Sequence, residues 1–284
     1  MNEFATMLVV TTAAGAITGV GALPVFVRAT VSHRVYDAAL GLAAGIMIAA
    51  SVFGLILPGM EQGTLFAVMS GVFMGGFVLL GGNRLIPHLH ARYVGWRRDG
   101  GEWGWERGTI AGSEGPTESN ETAESNETAD PAIASRARRA LLIGTAIVLH
   151  NAPEGLAMGV AFASGLEDVA LLLAVVIGLQ NVPDGFAFAV PFGDTGISNR
   201  RVLVYTTLSG LIPQVAAAVV GFFLVSLATG VFPVAAGFAA GAMMAVVFRE
   251  MIPSSHGHGY ADAATAAFLV GFALLVVVDE LLVV

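Results

Sequence analysis

Cysteine and lysine are both missing from this chain of 284 residues. Without cysteine there are no disulfides, no thiolate metal ligands and no thiol redox chemistry. Without lysine, all thirteen basic residues are arginine. Charge of either sign is scarce: charged residues make up 12 % of the chain, where a soluble domain carries about 25 %. Hydrophobic residues make up 56 % and the mean hydropathy is +0.78. That balance excludes an ordinary soluble globule and points to a polytopic membrane protein. No nucleotide-binding motif and no basic run suited to nucleic acid is present. The N-terminus lacks a positive leader: Glu3 is the charge nearest the start, and no arginine precedes Arg28. The first apolar run therefore reads as a true span rather than a signal peptide.

Eight apolar stretches are long enough to cross a bilayer. They run Phe4–Val27, Tyr36–Pro58, Thr64–Ile86, Arg138–Ala163, Asp168–Phe192, Val202–Ala228, Val231–Ile252 and Tyr260–Leu282. The pattern predicts an all-α protein with three spans in residues 1–86, a loop over 87–137, and five spans in 138–284. The loop carries the near-repeat Thr117-Glu118-Ser119-Asn120-Glu121 and Ala123-Glu124-Ser125-Asn126-Glu127. Such an acidic, polar tract cannot bury a core and is expected to be disordered and cytoplasmic. Arginine placement orients the spans. With both termini outside, Arg28, Arg34, the arginines from Arg84 to Arg139, Arg200, Arg201 and Arg249 all fall on the inner side. The outer connections hold only acids, among them Glu61, Glu167, Asp168, Asp279 and Glu280. This is the segregation of the positive-inside rule, here in a plasma membrane.

Two related heptapeptides stand inside apolar runs, where polar side chains are costly unless they have a role. They are Leu149-His150-Asn151-Ala152-Pro153-Glu154-Gly155 and Leu179-Gln180-Asn181-Val182-Pro183-Asp184-Gly185. In each, the first polar residue is i,i+4 from the carboxylate and the asparagine is i,i+3, so all three share a helix face. A carboxylate flanked by both partners can bridge two cations. Each proline also strips one carbonyl, of Leu149 or Leu179, of its usual backbone donor. At membrane depth such irregularity belongs where it is buried in protein or lines a wet cavity. The pair reads as the floor of a cation pathway.

These residues resemble the ZIP (Zrt/Irt-like protein) metal transporters, in particular their bacterial and archaeal branch. H-N-x-P-E-G in a fourth span, Q-N-x-P-D-G in a fifth, and a long inner loop after the third carry the resemblance. So do Ala44-Gly45-Ile46-Met47, Leu85-Ile86-Pro87-His88, Ser209-Gly210-Leu211 and Glu250-Met251-Ile252-Pro253. The resemblance implies a divalent-metal transporter, importing Zn²⁺ as substrate with Fe²⁺, Mn²⁺ or Cd²⁺ as alternatives, and forming a homodimer in the bilayer. It implies one metal held by His150, Glu154, Gln180 and Asp184. A second would be held by Asn151, Asn181 and the same two carboxylates as bridges. An intramembrane metalloenzyme would want an H-E-x-x-H cluster or a separate catalytic acid, which span four does not offer. A proton-coupled solute carrier would want a mid-span arginine or aromatic box, and no arginine lies mid-span.

Three departures from the family pattern shape the expectation. Asp184 stands where glutamate is more frequent, one methylene shorter. Ser209-Gly210-Leu211-Ile212-Pro213-Gln214 lacks the span-six glutamate that would serve a second metal. Asn83 and Ser254 occupy positions where relatives often carry acids. One firm site and one weak or vacant site are expected. Simpler readings stand beside these. His150 and Glu154 could be a buried structural ion pair, and Pro153 and Pro183 mere kinks. Glu250, ending span seven, serves equally as a solvated inner-face acid or as an exit-path metal ligand. His88, His90, His256 and His258 read first as solvated histidines; on a loop, each i,i+2 pair could instead capture metal. Gln214 and Ser51 complete the set of intramembrane polar residues.

Overall fold

A computed structural model describes residues 2–27, 32–94, 150–190 and 197–282. The acidic loop expectation falls almost wholly outside them. Among the described residues the secondary structure is helical, with no strand. In hydrocarbon every backbone group must be satisfied within its own segment, and long apolar runs achieve that only as helices. We number eight principal helices. They are α1 (Glu3–Ile17), α2 (His33–Ala49), α3 (Leu65–Val94), α4 (residues 150–163), α5 (Glu167–Ala189), α6 (Asn199–Leu227), α7 (Phe232–Val246) and α8 (Ala261–Leu282). Seven of the described helical segments are long and apolar enough to cross a membrane. The eighth expected span, 138–163, is described only from residue 150.

Polar residues mark several helix starts. The Asn2 side chain accepts from Phe4 N at 3.1 Å to cap α1, and Ser32 Oγ accepts from Val35 N at 3.4 Å to cap α2. Glu167 and Asp168 sit in the first turn of α5, where the helix dipole favours acids. Three helices change pitch before they end. α1 tightens into a 3₁₀ segment at Thr18–Ala22. α2 widens into a π segment at Ala50–Ile56, and α7 does the same at Val247–Met251. Both π segments run into a proline, Pro58 or Pro253. Each proline lacks the N–H that would tie the turn before it, and its ring crowds the carbonyl four residues back. A wider turn relieves that crowding, and Ser51 Oγ, bonded to Met47 O at 2.8 Å, bends the first of them further. The second π segment carries Glu250.

The helices pack as two sets. α3 lies along α7 and α8 along α2 over most of their lengths, while α1 and its 3₁₀ extension pack on α5 and α6. The sets meet mainly where α2 crosses α5. Small residues permit the long pairings: a Cβ at Gly71 or Gly75 would strike α7 backbone, and one at Gly41 or Gly45 would strike α8 backbone. The most apolar windows of α2 and α7 are each 67 % buried, those of α3 and α8 only 17 %. α2 and α7 are thus central, and α3 and α8 form an outer wall. Its outward side chains include Phe66, Phe73, Phe77, Leu269 and Val277, as a lipid-facing surface requires.

One boundary differs from the sequence expectation. α3 continues past Ile86 to Val94, so Pro87, His88 and His90 lie on a helix and not on a loop.

Candidate metal centre

The two heptapeptides place their polar residues where helices cross closely. A Cβ on Gly155 would overlap the carbonyl of Gln214 in α6, and one on Gly185 would overlap the carbonyl of Thr18. The glycine closing each motif is therefore a contact requirement, pressing α4 onto α6 and α5 onto the end of α1. Immediately beside each glycine stands the motif's carboxylate. Glu154 is fully buried and Asp184 nearly so, as are Asn151, Gln180 and Asn181.

Across the α4–α5 contact, Gln180 Nε2 donates to Glu154 Oε1 at 2.7 Å. This bond leaves Glu154 Oε2 and Gln180 Oε1 buried with no hydrogen-bond partner. Two acceptor oxygens stranded in an apolar bundle cost free energy, roughly 1–3 kcal/mol each and more for a charged group. Oxygens in that state are able to accept a cation. Asp184 lies within electrostatic reach of both Glu154 and His150. The His150 ring reaches across to α7's π segment, with Nε2 3.2 Å from Glu250 Oε2. Hence His150, Glu154, Gln180, Asp184 and Glu250 form one linked group from α4, α5 and α7. Among the described residues no three His, Asp or Glu side chains stand ready to enclose one ion. Amide oxygens such as Gln180 Oε1, buried without a partner, are available to add to a coordination shell.

Asn181 faces a different neighbourhood. Its Nδ2 donates to Ala14 O at 2.7 Å and to Gln214 Oε1 at 3.0 Å. The side chain thus ties α5 to α1 and α6. Asn181 Oδ1 and Gln214 Nε2 are left buried and unpartnered. Gln214, at 0 % exposure, sets a neutral amide against Asn181. Asn151 is buried on α4, one residue along from His150.

Two participants escaped the sequence reading. Gln214 was visible as an intramembrane polar residue, but nothing in its spacing pointed to Asn181. Asp37 is fully buried in α2, and nothing in its sequence surroundings marks it out. Flanked by Tyr36 and close to Arg34, it has the look of an ordinary interfacial acid at a span's beginning. Its burial comes from packing against the turn before α8, which spacing along α2 does not reveal.

The sequence profile of the family described as "ZIP Zinc transporter" matches residues 4–279. The chain is 33 % identical over 281 residues to zinc transporter GufA of Myxococcus xanthus, covering 96 % of this chain and 97 % of that protein. It is 35 % identical over 276 residues to zinc transporter ZIPB of Bordetella bronchiseptica, covering 94 % and 78 % respectively. It is 34 % identical over 322 aligned positions to human zinc transporter ZIP11, covering 93 % of each.

Proposed function

The chain belongs to the ZIP zinc transporter family, and on that premise we propose that it carries Zn²⁺ inward across the plasma membrane through the α4–α5 cluster. It is a multi-pass membrane transporter of divalent metal, and not an enzyme. The observation that carries the finer reading is the pair of buried, unpartnered oxygens, Glu154 Oε2 and Gln180 Oε1, beside Asp184. His150, Glu154, Gln180 and Asp184 hold the partly dehydrated ion. Glu250, already in contact with His150, receives it next on the way in. Two carboxylates neutralise the charge of one divalent cation, while one imidazole and amide oxygen keep the binding weak enough for release. Fe²⁺, Mn²⁺ and Cd²⁺ suit the same ligand types and are substrates of lower rank.

A second ion at Asn151 and Asn181 is disfavoured, because Asn181 spends its amide on Ala14 and Gln214. Access alternates by movement of the α1–α5–α6 set, with α4, against the α2–α3–α7–α8 set. A homodimer is the working assembly. The drive is the ion gradient and membrane potential, worth about 4.6 kcal/mol per 100 mV for a divalent ion moving inward.

The test is Zn²⁺ influx into proteoliposomes holding purified protein, with Fe²⁺, Mn²⁺ and Cd²⁺ as competitors. Saturable uptake that is lost in Glu154→Ala and kept in Asn181→Ala supports one essential site. Uptake by folded wild-type protein no greater than in empty vesicles overturns the reading.

A further inference from the structure

Beyond Glu250, along the same direction of α7, the chain turns at His256-Gly257-His258 before entering α8. There a second group of metal-binding side chains assembles that the transport cluster does not use. His258 Nδ1 lies 2.8 Å from Asp37 Oδ1. The His33 ring stacks on the His258 ring, centroids 4.5 Å apart and planes 14° apart. The Tyr36 ring closes the other side edge-on at 5.4 Å. His33 and Asp37 are one turn apart on α2, so both reach the same turn of chain. Asp37 is 0 % exposed, and its Oδ2 is buried with no hydrogen-bond partner. The His258 side chain is 38 % exposed, and His33 is open to solvent.

A carboxylate facing an imidazole nitrogen at 2.8 Å accepts that nitrogen's proton, which fixes the tautomer. In the neutral ring Nδ1 then carries the hydrogen, and the lone pair is left on Nε2. Metal-bound histidines are held in this way, with the carboxylate behind the ring orienting it and raising its basicity. A purely structural tie between α2 and the turn would not need a second imidazole laid against the first. A divalent cation on Nε2 would use that second ring, and it would strengthen the Nδ1–H···Asp37 bond behind the first.

We propose that His258 and His33 form a separate, solvent-facing site for a borderline first-row divalent cation, with Asp37 as the positioning carboxylate. The two ring nitrogens bind one ion together with water, after the stacked rings splay slightly. The site lies past Glu250 from the central cluster, at the end of the helices that carries Arg34. Its place as a landing point for the departing ion rests on the proposed direction of transport. The binding itself does not.

The test uses the full-length protein in detergent carrying Glu154→Gln, Asp184→Asn, His88→Gln and His90→Gln, titrated with Co²⁺ and followed by visible absorption and bound-metal stoichiometry. One Co²⁺ with ligand-field bands is expected to remain. Adding His33→Gln and His258→Gln is expected to remove it; adding Asp37→Asn is expected to weaken it 10–100-fold. His256→Gln is expected to leave it unchanged, since the ring stacked on His258 is that of His33. Both histidines are at the surface, so the double variant keeps its fold, checked by circular dichroism and gel filtration. Co²⁺ binding unchanged by the double substitution, or absent before it, overturns the proposal. Wild-type uptake is assayed in parallel, so loss of the transport reading is scored separately.

Discussion

Glu154→Gln separates a ligand from a structural residue. Gln is isosteric with Glu, and its Oε1 can accept the same 2.7 Å bond from Gln180 Nε2. That bond falls from charge-assisted, roughly 1.5–3 kcal/mol, to neutral, roughly 0.5–1.5 kcal/mol. Against that loss, the substitution removes a fully buried charge with an unpartnered oxygen next to a second acid, Asp184. The two effects have opposite sign, so the metal-free variant should match wild type in stability to within about 1 kcal/mol. Metal binding responds quite differently. Losing an outer-shell partner costs 10–100-fold in metal affinity, so losing a carboxylate ligand should cost at least about a hundredfold. Wild-type protein at a Zn²⁺ concentration one hundred times its Kd gains about 2.7 kcal/mol, and the variant should gain almost none. The assay is thermal unfolding in detergent with and without Zn²⁺, beside proteoliposome uptake. If Glu154→Gln keeps the Zn²⁺-induced stabilisation and transports at the wild-type rate, Glu154 is not a ligand and the cluster has been misread.

Gly155→Ala and Gly185→Ala each drive a methyl into a carbonyl, of Gln214 or Thr18, and should cost about 1–3 kcal/mol of stability. Gly81→Ala, which meets nothing, should cost none in the same unfolding assay. Asn181→Asp sets a carboxylate against the Ala14 and Gln214 oxygens that now accept from its amide. It should lose about 3 kcal/mol or more, with part recovered on adding Cd²⁺; full stability without metal would show that Asn181 is not so held. Gln180→Glu should tighten Zn²⁺ binding by about tenfold or more while slowing uptake per molecule; faster uptake at unchanged affinity would contradict that. Since the chain has no cysteine, Gln62→Cys and Arg200→Cys report orientation without background. An impermeant thiol reagent added to right-side-out vesicles should label the first and spare the second, and the reverse pattern would invert the topology.

The spans were legible because each is a long apolar run, and a run in lipid has one structural answer. The small-residue pairings at Gly41, Gly45, Gly71 and Gly75 were legible for a related reason: spacing of four places them on one face. The heptapeptides exposed the polar cluster because polar groups inside apolar runs are rare. What spacing could not give is the partner across a helix interface. His150 and Glu154 share a face, yet the His150 ring is turned to Glu250 on α7, which no local period connects to it. The π turns at Ala50–Ile56 and Val247–Met251 follow from prolines that were visible. Whether a helix kinks, breaks or widens at such a proline depends on its packing. Asp37 shows the same limit at its sharpest, an acid that looks interfacial in sequence and is buried by a turn more than two hundred residues later.

Replacing acids with amides around this cluster has a mechanistic logic that the Gln180 contact makes concrete. A carrier must pass through a state without its ion, and there a pair of buried carboxylates is expensive. On the proposed reading, an amide such as Gln180 serves both states. Without the ion its nitrogen donates to Glu154 Oε1, and with the ion a half-turn of the amide would present the oxygen. A glutamate in its place could only accept, and would leave three buried acids when the ion departs. The same argument extends to the second position of the proposed site. There the Asn181–Gln214 bond pairs neutral amides, so no charge would be left buried when an ion departs. Binding is weaker on both counts, and the empty protein is correspondingly easier to return. For a carrier driven by a few kcal/mol of membrane potential, a shallow site that empties readily is worth more than a deep one.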